Sequence, residues 1–284
     1  MKVPKLIGVV HLPPLPGSPL AHGEHPVDIL QRVGMQAVEE AQMLAQAGYD
    51  GVILENFGDT PFYKDQVPAE TVAALSIIAA AVREVVDIQV GINVLRNDGK
   101  SALAIAAVTG CDFIRVNVLS GLAATDQGLV EGDAAFLIRE RARLNVPVGI
   151  LADVHVKHAI TLSSFDLGLA IEEVGLRAMA DGVIITGRTT GRLVDLEALQ
   201  YASQVARSHQ IPLLIGSGAT AENLKEIQPW VDGIIVGSHL RKGGVAGAPL
   251  DSKRTREFAS AFAKLSKNKS KKVKKKGPAA KKRK

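Results

Sequence analysis

The chain has 284 residues, enough for one large domain, and is 46% apolar but only 4% aromatic, which predicts a core of Val, Ile, Leu and Ala. Its net charge of +5 hides an acidic body. From Lys264 onward there are 12 of the 34 Lys and Arg and no acid, which leaves 22 bases against 29 acids, a net of −7, before that point. The one cysteine, Cys111, excludes an intramolecular disulfide framework and fits a reducing compartment; its place before the apolar run at Phe113 predicts a buried, inert thiol. No apolar run approaches the roughly 18 residues of a membrane span. The opening MKVPKLIGVVHLPPLPG has too short and too proline-broken an apolar stretch for a signal peptide, so a cytoplasmic protein is expected.

Short β-branched runs alternate with helix-period segments along the chain. A strand over Leu6–Val10 precedes a helix from Asp28 to Ala47, closed by Gly48. Gly51–Leu54 leads to a helix over Ala69–Val85, and Ile88–Ile92 to one from about Lys100 to Val108. Phe113–Val118 is followed by a longer connection and a helix near Ala134–Leu144. Val148–Ala152 precedes a helix around Asp166–Ala180, and Gly182–Ile185 precedes Leu196–Ser208. Leu213–Ile215 and Gly233–Val236 bring the strands to eight. Such alternation predicts an α/β fold with a parallel sheet, and eight units favour closure into a (β/α)8 TIM barrel over residues 1–263. The joints AGYDGV, TGCDFI and VDGII form an internal echo in which Asp enters the strand.

The last two strands run straight into Gly216-Ser217-Gly218 and Gly237-Ser238. Glycines let the backbone approach a ligand and aim N–H groups at an anion, and the loops after strands seven and eight are a common phosphate site in such barrels. Chemistry is expected at the C-terminal strand ends, where polar residues are dense. They are His11, Glu55 with Asn56, Asn93, Arg115 and Asn117, Asp153 with His155 and Lys157, and Thr186 with Gly187. Each has a plainer alternative. His11 could be a core histidine, Glu55 and Arg115 a structural ion pair, Asp153 an orienting group for His155 or a loop cap, and Asn93 and Asn117 loop-fixing residues. Their convergence favours function, because so many polar groups are costly to bury for stability alone.

Laid side by side, the segments HLPPLPGSP (11–19), ENFGDTPF (55–62), GINVLRND (91–98), FIRVNVLSG (113–121), TDQGLVEG (125–132), ADVHVKHA (152–159), ITGRTTG (185–191) and IGSGATAEN (215–223) resemble the BtpA/SgcQ family. The resemblance covers roughly residues 4–258. It implies a phosphate-binding TIM barrel. It also implies either a part in photosystem I biogenesis at a membrane surface or, through relatives in sugar-utilisation gene sets, a metabolic role. Two departures stand out. The family's Lys-Asp-Gly-like run is Arg241-Lys242-Gly243-Gly244 here, and its Asn-Pro-Val-Asp-like run is Ala248-Pro249-Leu250-Asp251. The second departure is the Lys-rich segment 264–284, expected to be a disordered tail that meets a polyanion or an anionic membrane surface, or has no dedicated partner.

Two functions follow. The first is an enzyme on a small phosphorylated metabolite, a sugar phosphate or ribose-containing compound. Gly216, Ser217, Gly218, Gly237 and Ser238 would hold the phosphate, and His11, Glu55, Asp153 and His155 would supply acid–base groups. Lys157 and Arg115 would counter charge, Lys157 having a minor alternative as a Schiff-base nucleophile, and Asn93, Asn117, Thr186 and Gly187 would contact substrate. No cofactor and no metal are expected: the first strand lacks the paired histidines of barrel amidohydrolases, leaving a metal at Asp153, His155 and His11 as the weaker option. The second is a non-catalytic accessory factor for a membrane complex, using the barrel as a ligand sensor and the tail as a peripheral tether. A homo-oligomer is expected in either case.

Overall fold

The computed structural model describes residues 1–156, 159–162, 166–187 and 195–275, with side chains as far as residue 266. Eight parallel strands close into a barrel: β1 (Leu6–His11), β2 (Gly51–Glu55), β3 (Gln89–Asn93), β4 (Phe113–Val116), β5 (Gly149–Val154), β6 (Gly182–Ile185), β7 (Leu213–Ile215) and β8 (Gly233–Val236), with β8 pairing back onto β1. The outer layer is α1 (Pro26–Ala47), α2 (Ala69–Val85), α3 (Gly99–Thr109), α4 (Ala134–Leu144), α5 (Leu167–Glu172), α6 (Leu196–Ser208), α7 (Leu224–Ile227) and α8 (Ser252–Lys275).

Helix starts follow their caps. Asp98, Asp133, Asp166 and Asp195 each accept a first-turn backbone N–H, and α1 stops at Gly48 in a left-handed conformation that glycine adopts without strain. β1, β2 and β3 run one residue beyond expectation because polar residues at their ends still pair, His11 with Glu55 and Glu55 with Asn93. β4 stops at Val116, two residues early. The connection after it holds a hairpin, Leu122–Thr125 with Gly128–Glu131, joined by Ala159–Thr161 into a small antiparallel sheet the sequence did not reveal. The single helix expected over 166–180 is α5 continued by a π-turn, Glu173–Arg177. The final helix runs to Lys275, past the boundary at 263/264 drawn from composition; residues 276–284 lie outside the described residues.

The recurrent Asp has a physical role. Asp50, Asp112, Asp181 and Asp232 stand just before β2, β4, β6 and β8, and each accepts the backbone N–H of a residue at or near the start of the preceding strand: Leu6, Val90, Ile150 and Leu213, at 2.7–3.0 Å. The carboxylates thus satisfy strand N–H groups at the barrel floor and tie the strands in pairs.

Alternate residues then fill the interior. Ile7, Val9, Ile53, Phe113, Leu151, Ile184, Leu214 and Ile235 form one inner cluster, whereas Val10, Val52, Leu54, Ile92 and Ile114 pack under the helices. Gly91 makes room for the Phe113 ring, since a methyl there would sit 2.2 Å from it.

Behind the barrel mouth, Arg241 and Glu40 form a buried pair. Both guanidinium ends meet the Glu40 oxygens at 3.0 and 3.1 Å, and Arg241 also donates to the carbonyls of Val9 and Ala248. This anchors the loop after β8 to α1 and β1. Arg241→Ala leaves Glu40 buried and unpaired, and should cost about 3–5 kcal/mol in urea unfolding. Replacing both residues by Met should restore most of that loss.

Candidate functional site

The inward alternation of each strand carries on into the mouth. After Ile7 and Val9 comes His11; after Ile53, Glu55; after Gly91, Asn93; after Phe113, Arg115 and Asn117; after Leu151, Asp153; after Ile184, Thr186. On β7 and β8 the same positions are Gly216 and Gly237, and without side chains they leave a cavity of about 200 Å³. Its walls include His11, Glu55, Phe57, Arg115, Gly216–Thr220, Gly237–His239, Gly244 and Ala246. A methyl on Gly216 would lie 2.6 Å from Ile184, and one on Gly237 would lie 3.2 Å from His11 Nε2.

The polar groups are tightly partnered. Arg115 donates from Nε and Nη2 to the two oxygens of Asp153, each at 2.9 Å, and Asn117 donates to Asp153 Oδ2 at 2.9 Å. The Asp153 side chain is fully buried, so this is a desolvated, bidentate pair. Burial acts to lower the Arg115 pKa, but the charge and hydrogen bonds of Asp153, helped by Glu55, raise it overall. Glu55 accepts from Asn93 Nδ2 at 2.7 Å. His11 stacks on Phe57 with ring centroids 4.4 Å apart, and its Nδ1 accepts the Gly247 N–H at 3.2 Å.

The expected site residues therefore divide. His11, Glu55, Arg115, Gly216, Ser217, Gly218, Gly237 and Ser238 meet in one cavity. Gly187 donates its N–H to Ser217 Oγ at 3.3 Å, and Thr186 packs beside Gly216. Asn93 stands behind Glu55. Asp153, Asn117 and His155 line a separate cavity of about 30 Å³ under the small sheet, with Glu173. Lys157 lies outside the described residues. Arg115 pairs with Asp153, not with Glu55 as the plainer alternative had it. Among the described residues, no group of three His, Cys, Asp or Glu is placed to hold a metal ion.

The scaffold around the mouth comes from the polar motif after β2. Asn56 accepts the Leu95 N–H at 2.7 Å, and Asp59 accepts the Leu15 N–H at 2.8 Å and a bond from Asn56. The first three loops are thus braced together, and burial raises the Asp59 pKa against these bonds. Two further titratable groups stand near the mouth, Arg96 just past the end of β3 and His239, which the sequence did not single out. Arg96 is buried, its pKa lowered by desolvation against the charges of Asp153, Asp126 and Glu55. His239, one residue past the Gly-Ser turn, lines the pocket and tilts against Phe258 of α8 at 5.6 Å.

Burial holds the His239 imidazole below its ordinary 6.5, with Glu222 opposing and Arg254 reinforcing the shift. A lowered imidazole contributes stability that is present above the unfolded value and lost as pH falls through the folded one. His239→Asn should therefore flatten the fall in urea midpoint below pH 6.5, the ordinary imidazole value, and leave the pH 8 midpoint nearly unchanged.

Among solved structures, the fold is similar to 3-hexulose-6-phosphate synthase (17% identity, TM-score 0.57, covering 91% of this chain and 99% of that one). It is likewise similar to thiamine phosphate pyrophosphorylase from Pyrococcus furiosus (14%, TM-score 0.56, 92% and 96%). In sequence, the photosystem I biogenesis protein BtpA of Synechocystis is 45% identical over 258 residues, which cover 91% of this chain and 88% of that protein. The family model for BtpA matches residues 2–264. With nearly its whole length matched, the chain belongs to the BtpA family.

Proposed function

We propose that the protein is an enzyme acting on a small phosphorylated metabolite, a sugar phosphate or ribose-containing compound, by acid–base chemistry. The observation that carries this reading is the meeting, in one cavity of about 200 Å³, of two side-chain-free strand ends, Gly216 and Gly237, with Glu55, His11 and Arg115. Backbone N–H groups of the two Gly-Ser turns take the phosphate, as exposed amides at glycine turns favour an anion. Arg115, held by Asp153, adds a fixed donor next to Gly216 rather than a free charge. Glu55, steadied by Asn93, exchanges the substrate's proton. Asn117 Oδ1 and Thr186 Oγ1 are buried without a partner among the described residues and suit a bound water near the pocket rather than direct contact with the phosphate. Isomerisation, aldol-type cleavage and glycosyl hydrolysis all fit such a mouth. Two proteins of like fold are named for phosphorylated compounds, which agrees with the reading.

A second reading, an accessory factor for a membrane complex, is favoured by the name of the Synechocystis relative and by the basic segment from Lys264. It would use the barrel as a sensor and the segment as a tether to an anionic surface.

Millimolar sugar phosphates should raise the Tm by mass action. Gly237→Ala, which puts a methyl beside His11, should abolish that rise. Glu55→Gln should keep binding while lowering turnover by about 10²–10⁴. No Tm rise with any phosphorylated compound sinks the enzyme reading. A cellular phenotype lost on deleting residues 264–284 but kept in Glu55→Gln favours the accessory factor.

A further inference from the structure

Residues 241–250 form a glycine-shaped loop that returns to the barrel mouth. Its ends are tied by the Arg241–Leu250 bridge, and its base is fastened by Arg241 to Glu40 and to the carbonyl of Ala248. Gly243, Gly244 and Gly247 all hold positive φ, so the path is open to few other residues. At Gly247 the backbone runs close over Phe57, where a methyl would sit 3.3 Å from the ring, and its N–H points at His11 Nδ1.

An amide N–H has one chemical sense. It can only donate, so Nδ1 of His11 must be the acceptor and the ring proton of the neutral imidazole sits on Nε2. The Phe57 stack fixes the ring plane, and Nε2 then lies beside Gly237, in the wall of the pocket. Protonating Nδ1 would set two donors against each other, so the Gly247 contact is made with Nδ1 bare. Glu55 and Arg115 line the same cavity from β2 and β4, and His239 lines it from the β8 side.

We propose that His11 serves this site as a neutral hydrogen-bond donor through Nε2–H to an anionic oxygen at Gly237, with the loop anchored by Arg241 and Glu40 as the device that sets its tautomer. The proposal rests on the anion-pocket reading above and narrows it: His11 polarises or holds an oxygen, and proton removal belongs to Glu55. Arg241 and Glu40 are positioning residues, since they act only through Gly247.

The test joins two measurements on the full chain. Long-range ¹⁵N–¹H spectra of ring-labelled protein at pH 8, with His11 assigned from His11→Gln, should read Nε2 as protonated and Nδ1 as the acceptor. Sulfate, whose charge does not change near neutral pH, is the probe, and adding it should move the Nε2 signal. His11→Gln keeps an amide donor and should bind sulfate within about threefold of wild type. His11→Leu should lose about tenfold or more, as for a hydrogen bond to a charged group. An Nδ1-protonated ring or an imidazolium at pH 8 overturns the proposal, as does equal loss in the Gln and Leu variants. Failure of wild-type protein to bind sulfate at all overturns the anion pocket and the donor role with it, and the spectra then separate that outcome from a wrong tautomer.

Discussion

A closed parallel barrel offers each strand residue two destinations, the interior or the layer beneath the helices, and everything at the mouth follows from that constraint. Low in the barrel the inward positions hold Ile, Val, Leu and Phe113. One step higher they hold carboxylate, imidazole, amide and guanidinium groups. On the last two strands that step lands on glycine, so the interior opens between β7, β8 and β1. The pocket is made by side chains that are missing.

Burying so much polarity is costly unless each group is matched. Here the matches are specific: Arg115 with Asp153 and Asn117, Glu55 with Asn93, His11 with a backbone amide. The conspicuous motif residues after β2 are mostly scaffold. Asn56 and Asp59 tie the loops after β1, β2 and β3 into one rigid rim. Rigid rims suit a site whose donors must stand where charge develops.

Much of the barrel was legible because β-branched runs and helix-period segments alternate without ambiguity, and the Ala69–Val85 and Leu196–Ser208 helices have the bounds their patterns give. The inward set was legible from period two, as with Arg115 and Asn117. What could not be read was partnership. Arg115 and Asp153 lie 38 positions apart, and only barrel closure sets them face to face while leaving Glu55 to Asn93. The small antiparallel sheet was hidden because Leu122-Ala123-Ala124-Thr125 carries no strand preference; it exists through packing among Val118, Ala123, Val130 and Val156. Phe258, Ala259, Phe262 and Leu265 give α8 an apolar side against the core. His239 lay one residue beyond the Gly-Ser signal and carried none of its own.

The four aspartates at the floor have a reach longer than their bonds. Strand alternation has a phase, and a phase needs an origin. Each carboxylate gripping the backbone near a neighbour's first residue supplies one, several residues away from the mouth. Displace β2 by one position against that origin and Leu54 would point down the axis while Glu55 turned outward among the helices. The chemistry at one end of the cylinder is thus spelled from the other.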